Sequence, residues 1–137
     1  MDVSTQPEQR EAGIPRVSVV MPCFNAERYL EQAVRSVMEQ TLADVELIVV
    51  DDGSTDRSAQ LVSQLQPAFD GRIVHAVQSN AGPYAARNHG LKLARGAFIA
   101  FLDADDWWAP DCLQKLRAAL EGDGTAALAY CGWQNIG

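Results

Sequence analysis

Apolar residues recur along the chain in two alternating rhythms. Val17 to Met21 is a β-branched run closed by Pro22, which suits a central strand whose end leaves the ladder. Tyr29, Leu30, Ala33, Val34, Val37 and Met38 then recur in steps of one and three, one face of a helix that Asn25 can cap and that should stop near Gln40 or Thr41. Val45 to Val50, broken in polarity only by Glu46, reads as a strand covered on both faces. Asp51, Asp52 and Gly53 turn the chain, and Ser54 or Thr55 can cap a second helix with Leu61, Val62 and Leu65 inward. Ile73 to Val77 is a third strand. A third helix follows Asn80 to Pro83 and continues through Ala94, after which Gly96 stops it and Ala97 to Leu102 forms a fourth strand. Pro110 fits the first turn of a fourth helix with Leu113, Leu116 and Leu120, ended by Gly122 and Gly124, and Ala126 to Cys131 reads as a fifth strand.

Strands and helices thus alternate with short connections, which argues right-handed crossovers and a mostly parallel sheet between helices, an α/β fold. Residues 1–15 read as a disordered polar arm and residues 16–137 as the folded unit. The segment Cys131 to Gly137 follows a strand with nothing to cover it, so the expectation is the first part of a longer fold that self-associates through an incomplete sheet.

Composition narrows the class. The 137 residues, 47% hydrophobic and 21% charged, fit one globular domain. Eleven basic residues stand against 18 acidic ones, a net charge of -7, and they form no run that would track a phosphate backbone, so no nucleic-acid partner is expected. No apolar stretch approaches the roughly 18 residues of a membrane span, and the polar, acidic start is unlike a secretory signal. The expected location is cytoplasmic, or the inner face of a membrane for a longer protein. Cys23, Cys112 and Cys131 match neither a disulfide framework nor a zinc site and read as buried thiols.

In an open parallel sheet, ligands bind outside the carboxyl ends of the strands, which directs attention to the residues after each strand. Asp103, Asp105 and Asp106 are the sharpest group. In a chain still extended there, Asp103 and Asp105 point to one side, and a hard cation such as Mg²⁺ or Mn²⁺ would relieve their mutual repulsion. The alternative is an acidic cap for the helix near Pro110. Asp51 and Asp52 are either an acidic turn or acceptors for a base N–H or ribose hydroxyls. Arg87, early in a helix that opens with small residues, reaches toward phosphate oxygens or neutralises nearby aspartates; both readings put it at the rim. His89 is a surface or packed histidine rather than a base. Of Trp107 and Trp108, one can pack on the sheet and the other line a pocket. No G-x-G-x-x-G, P-loop or G-x-S-x-G motif is present.

Four ordered motifs together resemble a known family. VSVVMPCFN (17–25), ELIVVDDGSTD (46–56), NAGPYAARNHG (80–90) and AFIAFLDADDW (97–107) are similar to the opening strand and turn, base-binding loop, third helix and metal loop of the family 2 nucleotide-sugar glycosyltransferases, over about residues 16–131. The resemblance implies a GT-A fold, Rossmann-like and three-layered α/β/α. It implies that Asp52 binds the base edge with Pro22, Phe24 and Asn25 lining the nucleotide, that Asp103 contacts ribose and the metal's surroundings, and that Asp105 coordinates Mn²⁺ or Mg²⁺ bridging the diphosphate. Arg87 resembles an arginine near the nucleotide, and Asp106 an accessory acidic residue.

The implied activity is inverting transfer of a sugar from a nucleoside-diphosphate sugar, a UDP-sugar favoured, to a hydroxyl of a glycan or other acceptor. Such a reaction needs a carboxylate base for that hydroxyl, which in the family lies well beyond the D-x-D loop. No Asp or Glu follows Asp123, so the base is expected to be absent from this chain. Two alternatives remain: a nucleotide or nucleotide-sugar binding module without transferase activity, and a sugar nucleotidyltransferase, whose basic Gly-rich loop after the first strand is missing here.

Overall fold

The computed structural model describes residues 15–122. β1 (Val17–Cys23), β2 (Val45–Asp51), β3 (Ile73–Val77) and β4 (Phe98–Phe101) form one sheet in the order β3-β2-β1-β4, with every pairing parallel. The helices α1 (Leu30–Met38), α2 (Ser58–Leu65), α3 (Pro83–Leu93) and α4 (Cys112–Gly122) alternate with the strands, and a short 3₁₀ turn at Gln66–Phe69 follows α2. The expected fifth strand at Ala126 to Cys131, the stop at Gly124, Cys131 and nearly all of the expected arm lie outside the described residues; Pro15 is buried.

Side-chain alternation along β1 and β2 builds two cores, one on each face of the sheet. Val19, Met21, Leu47 and Val49 meet Leu30, Val34 and Val37 of α1, Val62 and Leu65 of α2, and Leu113 of α4 on one face. Ile48 and Val50 meet Ala86 of α3 on the other. This is the three-layer α/β/α arrangement expected. The second core is thin because α3 lies close to the sheet: a Cβ at Gly90 would overlap the side chain of Val20. Only a residue without a side chain permits that approach.

Several boundaries differ from expectation for physical reasons. Pro22 does not end β1; the strand runs on to Cys23, opposite Asp51. The Val20 carbonyl accepts from Leu102 N and the Cys23 carbonyl from Asp52 N, so by alternation the proline nitrogen faces the side where β4 stops, and no ladder bond is lost there. Helix α1 starts at Leu30, with Tyr29 as an exposed N-cap that makes no side-chain capping bond, so neither Tyr29 inside the apolar face nor Asn25 as the cap holds. Likewise Ser54 and Thr55 do not cap α2, whose N-cap is Arg57. Pro110 stands outside α4, its carbonyl accepting from Thr41 N at 2.8 Å.

The N-terminal edge of the sheet carries a buried polar lock. Glu46 is 2% exposed and accepts from Ser18 Oγ (2.6 Å), from the Arg95 backbone N–H (2.9 Å) and from the Arg95 guanidinium (3.1 and 3.0 Å). Ser18 Oγ in turn accepts from Gly96 N–H at 2.8 Å. The connection from α3 to β4 is thereby pinned to the starts of β1 and β2.

Candidate functional site

With strand order β3-β2-β1-β4, the chain progresses outward from β1 in one direction through β2 and β3, then returns to β1's other side with β4. The reversal lies between β1 and β4, and the crevice outside their carboxyl ends is where such a sheet opens to a ligand. The segments meeting there are the loop after β1 and the loop after β4.

After β4 the chain turns instead of staying extended. Asp106 N–H donates to the Asp103 carbonyl at 3.1 Å, closing a turn over the buried Ala104. The expected period-two alignment of Asp103 with Asp105 is therefore replaced by a curl that gathers three exposed carboxylates, Asp103, Asp105 and Asp106, each offering an oxygen within 4.8 Å of the others. Partial burial, then the charges of Asp105 and Asp103, push the Asp106 carboxyl above the usual carboxylate range. Hard oxygen donors crowded in this way fit a divalent cation such as Mg²⁺ or Mn²⁺, which would hold all three ionised.

Arg87 of α3 faces this turn, its Nη2 3.3 Å from Asp103 Oδ1, and its guanidinium lies 5.6 Å from the ring centroid of the exposed Tyr84. Trp107 is exposed beyond the turn, whereas Trp108 packs on the α1 side of the core and donates its backbone N–H to Ser36 Oγ.

Asp52 is a different kind of carboxylate. It is 4% exposed, and its oxygens accept from Gln78 Nε2 (2.9 Å), Ala81 N (2.7 Å), Gly82 N (3.0 Å) and Asn80 Nδ2 (3.3 Å). Burial alone would raise its pKa; the bonds from Gln78, Ala81 and Gly82 outweigh it and hold the group below the usual range. Gly82 caps α3 at φ +97°, which orients its N–H toward Asp52. Helix α3 thus starts on Asp52 and carries Arg87 to Asp103, linking the two acidic loops. Gln78 Oε1 also meets His89 Nδ1 at 2.9 Å, so His89 is a packed histidine.

Asn25, with φ +48°, spends its side chain on the neighbouring loop: Oδ1 accepts from Thr55 N (2.8 Å) and Asp56 N (3.3 Å), and its own N–H donates to Ser54 Oγ (2.9 Å). Ala26 N–H donates to Ser58 Oγ and Glu27 N–H to Asp56, so the loops after β1 and β2 form one wall. Pro22 is partly buried and Phe24 is half exposed on that wall. Cys23 behind it is buried, and burial pushes its thiol up to about 11, which leaves it inert at neutral pH. Gln78, Asn80 and the Asn25 bridge escape sequence reading, since each acts through a partner 26 to 31 positions away.

The profile of Glycosyl transferase family 2 matches residues 18–135. An uncharacterized glycosyltransferase of Nostoc sp. is 44% identical over 101 residues, 74% of this chain and 31% of its own length. Chondroitin synthase of Escherichia coli is 32% identical over 123 residues, 90% of this chain and 18% of its own length. The chain spans between 31% and 41% of the length of the first curated relatives it matches. Among solved structures, S. aureus TarS 1-349 in complex with UDP-GlcNAc superposes with a TM-score of 0.72 at 31% identity, covering 78% of this chain and 31% of TarS. The mannosyltransferase PcManGT of Pyrobaculum calidifontis, in complex with GDP-Man and Mn²⁺, gives 0.63 at 28% identity, covering 72% of this chain and 30% of its own. No helix among the described residues is long and apolar enough to cross a membrane.

Proposed function

The chain belongs to Glycosyl transferase family 2, and from that membership we propose that it forms the donor and metal site for inverting transfer of a sugar from a nucleoside-diphosphate sugar, a UDP-sugar favoured, to an acceptor hydroxyl. The observation that carries this reading is the meeting of three exposed carboxylates and Arg87 at the crevice between β1 and β4. Acid and base side chains there suit a ligand that is itself part cation and part polyanion. Support for the ligand class comes from TarS, bound to UDP or UDP-GlcNAc, and from PcManGT, bound to GDP-Man and Mn²⁺.

In this reading the acceptor oxygen bonds to the anomeric carbon, the bond from that carbon to the diphosphate oxygen breaks, and its electron pair leaves with the nucleoside diphosphate. The hydroxyl proton goes to a base that no residue described here is assigned to be. Asp105, with Asp103 and Asp106, would hold Mg²⁺ or Mn²⁺, which when bound supplies positive charge for the departing diphosphate. Arg87 adds charge-assisted hydrogen bonds to phosphate oxygens. Pro22 and Phe24 line the nucleoside, and Asn25 keeps their loop against the loop after β2. Asp52 was expected to take the base edge; with its acceptor positions filled by Gln78, Asn80, Ala81 and Gly82, we assign it to fixing the start of α3 beside the nucleoside instead.

Titration calorimetry with UDP tests the proposal. UDP is expected to bind at least about tenfold more tightly with Mn²⁺ than with a chelator, a difference of about 1.4 kcal/mol. Equal affinity in both conditions would remove the metal from the reading, and no UDP binding in either would remove the donor site.

A further inference from the structure

Arg87 is the only cationic side chain bonded to the carboxylate turn among the described residues, and it bonds Asp103, one of the three carboxylates that a metal would use. The pair is half open to water: the Arg87 side chain is 32% exposed and that of Asp103 52%. Its single contact is 3.3 Å long, one nitrogen to one oxygen, without the bidentate geometry that makes such pairs strong. The contrast with Arg95 is instructive, since that guanidinium engages Glu46 through two nitrogens while its backbone N–H engages the same carboxylate. Arg87 issues from the second turn of α3, and its guanidinium lies at the same time 5.6 Å from the ring centroid of the exposed Tyr84, so that leaving Asp103 would not strip it of every contact.

We propose that Arg87 is an exchangeable counter-cation: it and a divalent ion compete for Asp103, and the ion's arrival transfers the guanidinium from Asp103 to the diphosphate. The inference rests on the reading of Asp103, Asp105 and Asp106 as a metal site and adds a coupling to it. Arg87 opposes binding of the metal alone, because a guanidinium and a divalent cation beside the same oxygens repel each other. It favours binding of metal and diphosphate together, because the phosphates bring enough negative charge to share between both cations. The site thereby disfavours metal without nucleotide and becomes complete only when both are present, a coupling that acts reciprocally on the two ligands.

The distinguishing consequence is a change of opposite sign in two affinities of one variant. Mn²⁺ alone is titrated into the protein with the electron paramagnetic resonance signal of the free ion as readout, and UDP is titrated calorimetrically at saturating Mn²⁺, for wild type, Arg87→Gln and Arg87→Lys. Arg87→Gln is expected to bind Mn²⁺ alone about threefold to tenfold more tightly and UDP with Mn²⁺ about tenfold more weakly. Arg87→Lys keeps the charge without the fork and is expected to fall between the two on both measurements. A Mn²⁺ affinity in Arg87→Gln equal to or weaker than wild type, with wild-type UDP binding still dependent on Mn²⁺, overturns the exchange and leaves the metal site standing. Wild type that takes up no Mn²⁺, with or without UDP, overturns the metal site and the exchange with it. Both variants are surface substitutions on α3, and circular dichroism melts within a few degrees of wild type establish that the comparison is between folded proteins.

Discussion

The two edges of the sheet each join acidic side chains to an arginine, and they use them in opposite ways. At the N-terminal edge Glu46 is buried and filled with partners: a serine hydroxyl, a backbone N–H and two guanidinium nitrogens. At the C-terminal edge three aspartates stand exposed, like charge against like charge, with one long contact to Arg87 between them. A carboxylate whose acceptors are all used has nothing left to offer a ligand. A group of carboxylates held together with few protein donors keeps its oxygens open, and in our reading that is where a cation binds. Acidity alone does not separate scaffold from site; the supply of donors does. Asp52 belongs to the first class although it lies at the second edge, within a loop that carries the acidic signature of a binding segment.

The largest effect on stability is expected at Glu46. Glu46→Gln replaces a fully bonded carboxylate with an amide whose N–H₂ faces other donors, and should cost about 2 to 3 kcal/mol in chemical denaturation, less than for a fully buried pair because Arg95 keeps contact with water. A loss below about 0.5 kcal/mol would break the comparison at its scaffold end.

Glu46 also marks where local sequence stops being informative. It appears in the pattern only as a polar interruption of an apolar strand, because its partners lie 28 and 49 positions away. The strands and helices were legible, since β-branched runs and 3.6-residue periodicity act within a few residues; β3 falls at Ile73–Val77 as expected. Caps were not. Asn25, Ser54 and Thr55 are good cappers by type, yet a tertiary pairing between two loops uses Asn25 and Ser54 and leaves α1 and α2 without side-chain caps. The site was legible as a set of acidic loops, and Arg87 as their neighbour. What no spacing rule supplies is the turn that brings the three carboxylates together, and the loop that fills Asp52 from the other side.

Asp52→Ala should come next, at about 2 kcal/mol, by leaving the Gln78, Ala81 and Gly82 donors unsatisfied, and UDP binding should weaken with it as the start of α3 loosens. The pH dependence has a definite sign. The Asp52 pKa is lower folded than unfolded, so its contribution is complete above the unfolded value, roughly pH 4, and is lost as pH falls through the lower folded one. Wild type should therefore lose part of its stability in that acid window, and Asp52→Ala should lose less there. An identical acid profile for the two proteins would contradict the bonding assigned to Asp52.

The smallest effect on stability is expected at Asp105, whose carboxylate is exposed and relieved of repulsion when neutralised. Asp105→Asn should unfold within about 0.5 kcal/mol of wild type. The consequence of that substitution should appear in binding instead, which makes Asp105 the place where the division between filled and unfilled carboxylates is tested most directly. Calorimetric titration of UDP into wild type and Asp105→Asn, each with Mn²⁺ and with a chelator, is the measurement. The account predicts a metal-dependent gain of about tenfold or more in wild type and none in the variant. An Asp105→Asn protein that keeps the full Mn²⁺-dependent gain would contradict it.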